Sequence, residues 1–106
     1  GGLGDDSLFG GQQDDLLYGQ FGNDRIDGNR GNDTLYGEDG IDTFVISKGD
    51  DWVMDFNTAQ DKIETADAYS AITQSVSSGN LVLSDSDGDT LTLLGVTSTL
   101  NEGYFV

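Results

Sequence analysis

Five aspartates recur at intervals of nine residues: Asp6, Asp15, Asp24, Asp33 and Asp42. The chain holds 20 acidic residues against 4 basic ones, with no His and no Cys. The donors on offer are carboxylates and turn carbonyls, all hard oxygens, and the chemistry they suit is the binding of a hard divalent cation. Thiolate and imidazole sites for zinc or copper are excluded, and a set of roughly six to eight oxygens drawn largely from the backbone favours Ca²⁺ over Mg²⁺. Without His or Cys the usual catalytic triads and the zinc-hydrolase helix are missing, so these residues are expected to be non-catalytic.

Written in nines, residues 1–45 read GGLGDDSLF, GGQQDDLLY, GQFGNDRID, GNRGNDTLY and GEDGIDTFV, with nothing inserted between copies. The first place is always Gly (Gly1, Gly10, Gly19, Gly28, Gly37), and the eighth is always large and apolar (Leu8, Leu17, Ile26, Leu35, Phe44). The early places of each unit have turn composition, and the last few make a short strand with one inward side chain. One inward residue per strand buries little alone, so the copies must stack as a solenoid. A unit that reverses direction each time needs two units per coil. Odd turns then stack on one edge and even turns on the other, about 4.8 Å apart. Asp6, Asp24 and Asp42 form one ladder, and Asp15, Asp33 and Asp51 form the other. Like charges at that spacing repel by roughly 1–3 kcal/mol per pair. The ladders therefore oppose folding until a cation neutralises them, and Gly allows the turn carbonyls to point inward through φ > 0.

The phase continues past Val45. ISKGDDWVM, residues 46–54, keeps Gly49, Asp51 and Val53 in place and makes a sixth turn. DFNTAQDKI fits only with one extra residue, placing Asp61 and Ile63, and is expected to break the register and end the roll. Residues 1–63 are thus expected to form the repeat domain, with 64–106 as a C-terminal cap. Within the cap, β-type residues run from Ile72 to Ser77, Leu81 to Ser84 and Thr90 to Leu94. The link DSDGD holds Asp-Gly and predicts a β-hairpin over Leu81 to Leu94. Helical turns are expected at Ala66 to Ala71 and after Thr97 or Ser98 as cap. An open solenoid end exposes strand edges and apolar residues, so a cap is physically required.

The pattern GGxGxDxUx, seen in Gly1-Gly2-Leu3-Gly4-Asp5-Asp6-Ser7-Leu8-Phe9, resembles the RTX (repeats-in-toxin) calcium-binding C-terminal domains of bacterial exoproteins exported by type I secretion. DTFVIS, GDDWVMDF, DKI, GDTLTLLGV and GYFV extend the resemblance to secreted proteases, lipases and alginate epimerases. It implies an all-β, right-handed parallel β-roll with a C-terminal β-hairpin cap and Ca²⁺ between successive turns on each edge. In that pattern one turn gives the carbonyls of its first and third residues and its Asp. The stacked turn gives those of its second and fourth residues and its Asp. The implied sets are Gly1, Leu3 and Asp6 with Gln20, Gly22 and Asp24, then Gly10, Gln12 and Asp15 with Asn29, Gly31 and Asp33. Next come Gly19, Phe21 and Asp24 with Glu38, Gly40 and Asp42, and Gly28, Arg30 and Asp33 with Ser47, Gly49 and Asp51. About four ions follow. A fifth would use Gly37, Asp39 and Asp42 with Asp61, across the inserted residue. Gln13 stands where Gly is expected, so its turn should be less regular, and Ile41 replaces the usual Asn or Asp of the fifth place.

A net charge of −16 sets the chain against nucleic acid and anionic membranes, and no apolar run reaches the length of a membrane span. The bland alternative, a disordered solubilising tail, does not account for apolar residues at fixed phase. Asp85, Asp87 and Asp89 could hold a metal, but the hairpin already explains Asp-Gly there. Trp52, Phe56 and Tyr69 could bind a ligand or pack the cap. Arg25 and Arg30 could start a polysaccharide-binding stripe of the alginate type, the main alternative function. Extracellular calcium modules commonly work at about 10⁻⁴–10⁻³ M, so the chain is expected to fold outside the cell and to be secreted. Its expected partners are calcium, the type I secretion apparatus and an upstream catalytic domain of the same chain. The ending Glu102, Tyr104-Phe105-Val106 resembles that pathway's signal, and the two unpartnered first turns suggest an array cut from a longer one.

Overall fold

The computed structural model describes residues 1–106 and consists of short strands joined by turns. Seven strands follow the repeat: β1 (Ser7–Phe9), β2 (Leu16–Tyr18), β3 (Arg25–Asp27), β4 (Thr34–Tyr36), β5 (Thr43–Val45), β6 (Asp50–Val53) and β7 (Lys62–Glu64). Then come β8 (Thr73–Ser77), β9 (Asn80–Ser84) and β10 (Thr90–Leu93), with 3₁₀ turns at Tyr69–Ala71 and Glu102–Tyr104. Odd strands pair in the order β1-β3-β5-β7, and even strands open a second sheet, β2-β4-β6-β10-β9-β8. All pairings from β1 to β7 are parallel, which makes this the expected β-roll.

The register keeps the eighth place in line. Leu8, Ile26, Phe44 and Ile63 stack in one sheet, and Leu17, Leu35 and Val53 in the other. Ile26, Leu35, Phe44, Val53 and Ile63 are fully buried and join Leu81, Leu83, Leu91 and Leu93 in one core. The expected break at the seventh unit does not occur. Phe44 pairs with Ile63, and the extra residue is taken up in a tight turn where the Gln60 and Asp61 N–H groups both donate to the Asn57 carbonyl. An insertion confined to a turn leaves the strand ladder intact.

The hairpin β9–β10 forms as expected, but it continues the second sheet. β10 lies parallel to β6, matching Leu93 to Val53, and β9 and β8 follow antiparallel. Near the C-terminus the helical turn falls later than expected. Its cap is Asn101, whose Oδ1 accepts the Gly103 N–H at 2.9 Å, not Thr97 or Ser98. Asn readily bonds its own backbone two residues on, which places the turn there. Phe105 bridges to Ile63, and the Val106 N–H donates to the Ile63 carbonyl, so the edge of β7 is sealed. At the other end, Leu8 and Leu17 are only partly buried.

Candidate metal centre

Each turn delivers its sixth-place Asp to the same spot above a strand, and the stacked coils tie these residues together. The Asp6 N–H donates to Asp24 Oδ1 at 2.9 Å, Asp24 to Asp42 at 3.0 Å, and Asp42 to Asp61 at 2.9 Å. On the opposite edge Asp15 donates to Asp33 at 2.7 Å and Asp33 to Asp51 at 2.8 Å. Asp24, Asp33, Asp42, Asp51 and Asp61 are all buried. The two ladders are therefore Asp6–Asp24–Asp42–Asp61 and Asp15–Asp33–Asp51.

Oδ1 of Asp24, Asp33, Asp42, Asp51 and Asp61 accepts the N–H of the preceding coil's Asp, while Oδ2 is orphaned in every Asp but the last of each ladder. The Oδ2 atoms of Asp6, Asp15, Asp24, Asp33 and Asp42 are buried with no hydrogen-bond partner. A buried, unpaired carboxylate oxygen is costly unless a cation or donor meets it. The ends of the ladders differ. Asp51 Oδ2 accepts from Ser47 Oγ at 3.0 Å, and Asp61 Oδ2 accepts from the Asn57 N–H at 2.8 Å. One orphan oxygen thus belongs to the earlier Asp of each stacked pair. The residues present fit a bound divalent cation: anionic, oxygen-only and unsatisfied without one.

Burial also sets the protonation of these groups. With no cation beside them, Asp42 and Asp51 are pushed up to about 7, chiefly by desolvation, with charge from Asp61 and Asp24 adding at Asp42 and from Asp33 at Asp51. Asp33 and Asp61 are raised for the same first reason.

The backbone around the ladders follows the repeat. First-place Gly19 admits no side chain, since a Cβ there would lie 2.7 Å from Asp24 Oδ2 and 2.8 Å from the Gly37 carbonyl. Fourth-place Gly31, at φ 97°, would press a Cβ to within 2.6 Å of the Gln13 carbonyl. Gly1 and Gly10 repeat both contacts of the first arrangement, Gly28 and Gly37 the one with their own turn's Asp Oδ2, and Gly22, Gly40 and Gly49 repeat the second. At the second place Gln20, Asn29 and Glu38 adopt the left-handed region at φ 71°, 68° and 65°. Ser47 at the second place does not, nor does Gln13 at the fourth place, where Gly4, Gly22, Gly31, Gly40 and Gly49 all do, so the Gln13 turn departs from the pattern. Third-place Leu3, Gln12, Phe21, Arg30 and Asp39 have exposed side chains, leaving their carbonyls as the groups on offer.

Sequence reasoning missed a second ladder, made by the fifth place. Asp5 Oδ1 accepts the Asn23 N–H, Asp14 that of Asn32, Asn23 that of Ile41, and Asn32 that of Asp50, all at 2.8–2.9 Å. The recurring Asn and Asp carried that signal. It also accounts for Ile41. The next residue along that edge, Gln60, bonds its N–H to Asn57 within its own turn, so position 41 needs no acceptor. Gln60 instead sends its side-chain amide to the Gly40 carbonyl at 2.6 Å.

The weaker candidates resolve differently. The carboxylates of Asp85, Asp87 and Asp89 lie within 4.8 Å of one another. Lys48 Nζ reaches Asp87 at 2.8 Å, and Asp85 Oδ1 accepts the Asp87 and Asp89 N–H groups. The cluster is thus occupied from within the chain. Arg25 is clasped by Glu64 through two hydrogen bonds, at 2.9 and 2.5 Å, which lowers the Glu64 carboxyl below its usual range. Phe56 packs between Phe44 and Tyr104, and Tyr69 against Phe105, so both pack the core and cap. Trp52 instead stands 42% exposed on the outer face of the six-stranded sheet.

The family model for the RTX calcium-binding nonapeptide repeat (4 copies) matches residues 1–26 and 18–53. Among solved structures, the chain is similar to the extracellular lipase LipA from Serratia marcescens, with 25% identity and a TM-score of 0.64. That match covers 94% of this chain and 20% of the lipase, so the chain spans about a fifth of that protein. The solution structure of the AlgE6R3 subunit from the Azotobacter vinelandii mannuronan C5-epimerase matches at 24% identity and a TM-score of 0.48, covering 100% of this chain and 80% of that one. No curated protein sequence matches significantly.

Proposed function

Because the chain belongs to the family built on RTX calcium-binding nonapeptide repeats, we propose that it is a non-catalytic calcium module of a secreted polypeptide, folding when it meets the ion outside the cell. The observation that carries this reading is the set of five orphaned carboxylate oxygens, one for each stacked Asp pair. In this proposal Asp6, Asp15, Asp24, Asp33 and Asp42 each hold an ion jointly with the Asp of the next coil and the turn carbonyls between. Bound Ca²⁺ would supply the positive charge that the two ladders lack. Four ions would bring the formal charge from −16 to about −8. The orphan Oδ2 of Asp42 supports a fifth ion at Asp42–Asp61, weakened because Gln60 already bonds the Gly40 carbonyl.

A secreted setting is supported by the similarity to a lipase described as extracellular. Export by a type I system, and the attachment of an upstream enzyme, belong to the same proposal. The polyuronate-binding alternative has less support, because Arg25 is spent on Glu64 and Arg30 is the one arginine left for such a stripe.

Circular dichroism in chelator and in millimolar Ca²⁺ tests the reading, with a β spectrum expected only with the ion. Calorimetric titration should count four to five ions. An identical β spectrum in chelator would overturn the metal-coupled reading.

A further inference from the structure

The two outer sheet faces differ in charge. On the four-stranded sheet, Arg25, Asp27, Lys62 and Glu64 all lie in the outward rows. On the six-stranded sheet one outward row runs Leu16, Thr34, Trp52 and Thr92 in register, and the next begins with Tyr18 and Tyr36. No Asp, Glu, Lys or Arg stands in either row, in a chain carrying 24 charged side chains. Tyr18 and Tyr36 stack with ring centres 4.8 Å apart and planes 16° apart, so each holds the other's orientation. Leu16, Tyr18 and Trp52 remain exposed. These two rows therefore offer fixed aromatic rings and the hydroxyl groups of Tyr18, Tyr36 and Thr34, Thr92 being buried, and the nearest charge on the face is Asp50, exposed in the neighbouring row and accepting from the Thr90 hydroxyl.

The dimensions of the face select its occupant. Four strands about 4.8 Å apart, taken two rows deep at about 6.6 Å per row, give a strip on the order of 250 Å². A stable protein dimer buries about 800 Å² on each partner, so a second copy is too large an occupant for this strip. The acidic turns border it on both sides, and the chain as a whole is at −16, which repels a polyanion. What remains is a narrow, uncharged polymer with apolar faces and many hydroxyls. Aromatic rings with polar tips bind such chains by packing on the C–H faces and hydrogen-bonding the hydroxyls.

We propose that the outer face of the six-stranded sheet, centred on Tyr18, Tyr36 and Trp52, binds an uncharged polysaccharide strand. The proposal requires the folded roll but not the ion reading of the ladders. It also differs from an arginine-based uronate site in both place and ligand class.

Trp52 is the sole tryptophan, so its emission reports on this face directly. The chain, saturated with Ca²⁺, is run in native gels containing hydroxyethylcellulose, galactomannan, soluble starch or alginate. Retardation by at least one neutral polymer is expected, with a blue shift of Trp52 emission and protection from acrylamide quenching when that polymer is added. The Tyr18→Ser/Tyr36→Ser variant is expected to lose about tenfold or more in affinity while keeping its spectrum and calcium midpoint. No retardation in any neutral gel, retardation by alginate alone, or unchanged binding by the variant would each overturn the proposal. Sedimentation showing a dimer that buries Trp52 would assign the face to a second copy and overturn it too. Should the variant not fold, quenching protection in the unaltered chain decides the matter.

Discussion

The Oδ2 atoms of Asp6, Asp15, Asp24, Asp33 and Asp42 have nothing to bond within the protein, whereas those of Asp51 and Asp61 do. That contrast locates the demand for cation at single atoms and gives it a pH signature. A carboxyl whose pKa is higher folded than unfolded binds its proton more tightly in the folded state. Its penalty is fully present above the folded value and is relieved as pH falls toward the unfolded one. For Asp42, which is fully buried, the rise from 3.8 to about 7 corresponds to about 4 kcal/mol. In chelator, therefore, more β structure is expected at pH 5 than at pH 8. In the same experiment the calcium midpoint should move to higher concentration at pH 5, because protons compete for the ligands. A chelator spectrum that does not change between these pH values would count against the burial argument. Gly19→Ala is a second probe, since its Cβ would intrude on Asp24 Oδ2 and the Gly37 carbonyl together. Overpacking of this kind costs about 1–3 kcal/mol, and loss of at least one ion by calorimetry is expected with it.

Among the elements, the short strands were the most legible part of the sequence because every place in the unit repeats. Phase alone put Ile26, Leu35 and Phe44 inward and paired Leu35 with Val53. Asp-Gly likewise announced the β9–β10 hairpin. The parallel pairing of β10 with β6 was not legible, since it joins segments 40 residues apart that no shared motif links. The same holds for the Arg25–Glu64 clasp across β5 and for the Ser47 and Asn57 donors that end the ladders. Within the site, the Asp ladders followed from spacing, and the fifth-place ladder went unread because its side chains act on backbone N–H groups one coil away. The pairing of β10 makes a prediction at this scale. Leu91 is fully buried on β10, between the last repeat strand and β9. Leu91→Ala should cost about 2–5 kcal/mol and raise the calcium concentration needed to fold the repeats themselves. A variant that melts earlier yet keeps the same calcium midpoint would separate the hairpin from the roll.

For the molecule as a whole, opposite requirements meet in one scaffold. The core is thin, with one inward side chain per repeat strand, and it carries two rows of buried acids and a net charge of −16. Ion binding and folding are coupled whenever the ligand set exists only in the folded chain. The charge is also distributed unevenly, concentrated at the turn edges and sparse at the centre of one sheet face, so one scaffold presents cation-seeking edges and an aromatic strip between them. Burial is uneven along the axis as well. The hairpin and the Phe105 bridge enclose the late coils, while Leu8 and Leu17 keep partial contact with solvent. Local opening is cheapest where apolar contacts are fewest. Amide hydrogen exchange in saturating calcium should therefore form a gradient, with β1 and β2 trading protons for deuterons first and β6, β9 and β10 last. A uniform exchange rate from β1 to β10 would mean that the coils open only together. A gradient would mean that they loosen one at a time, so that a partial loss of calcium shortens the folded stack without dissolving it.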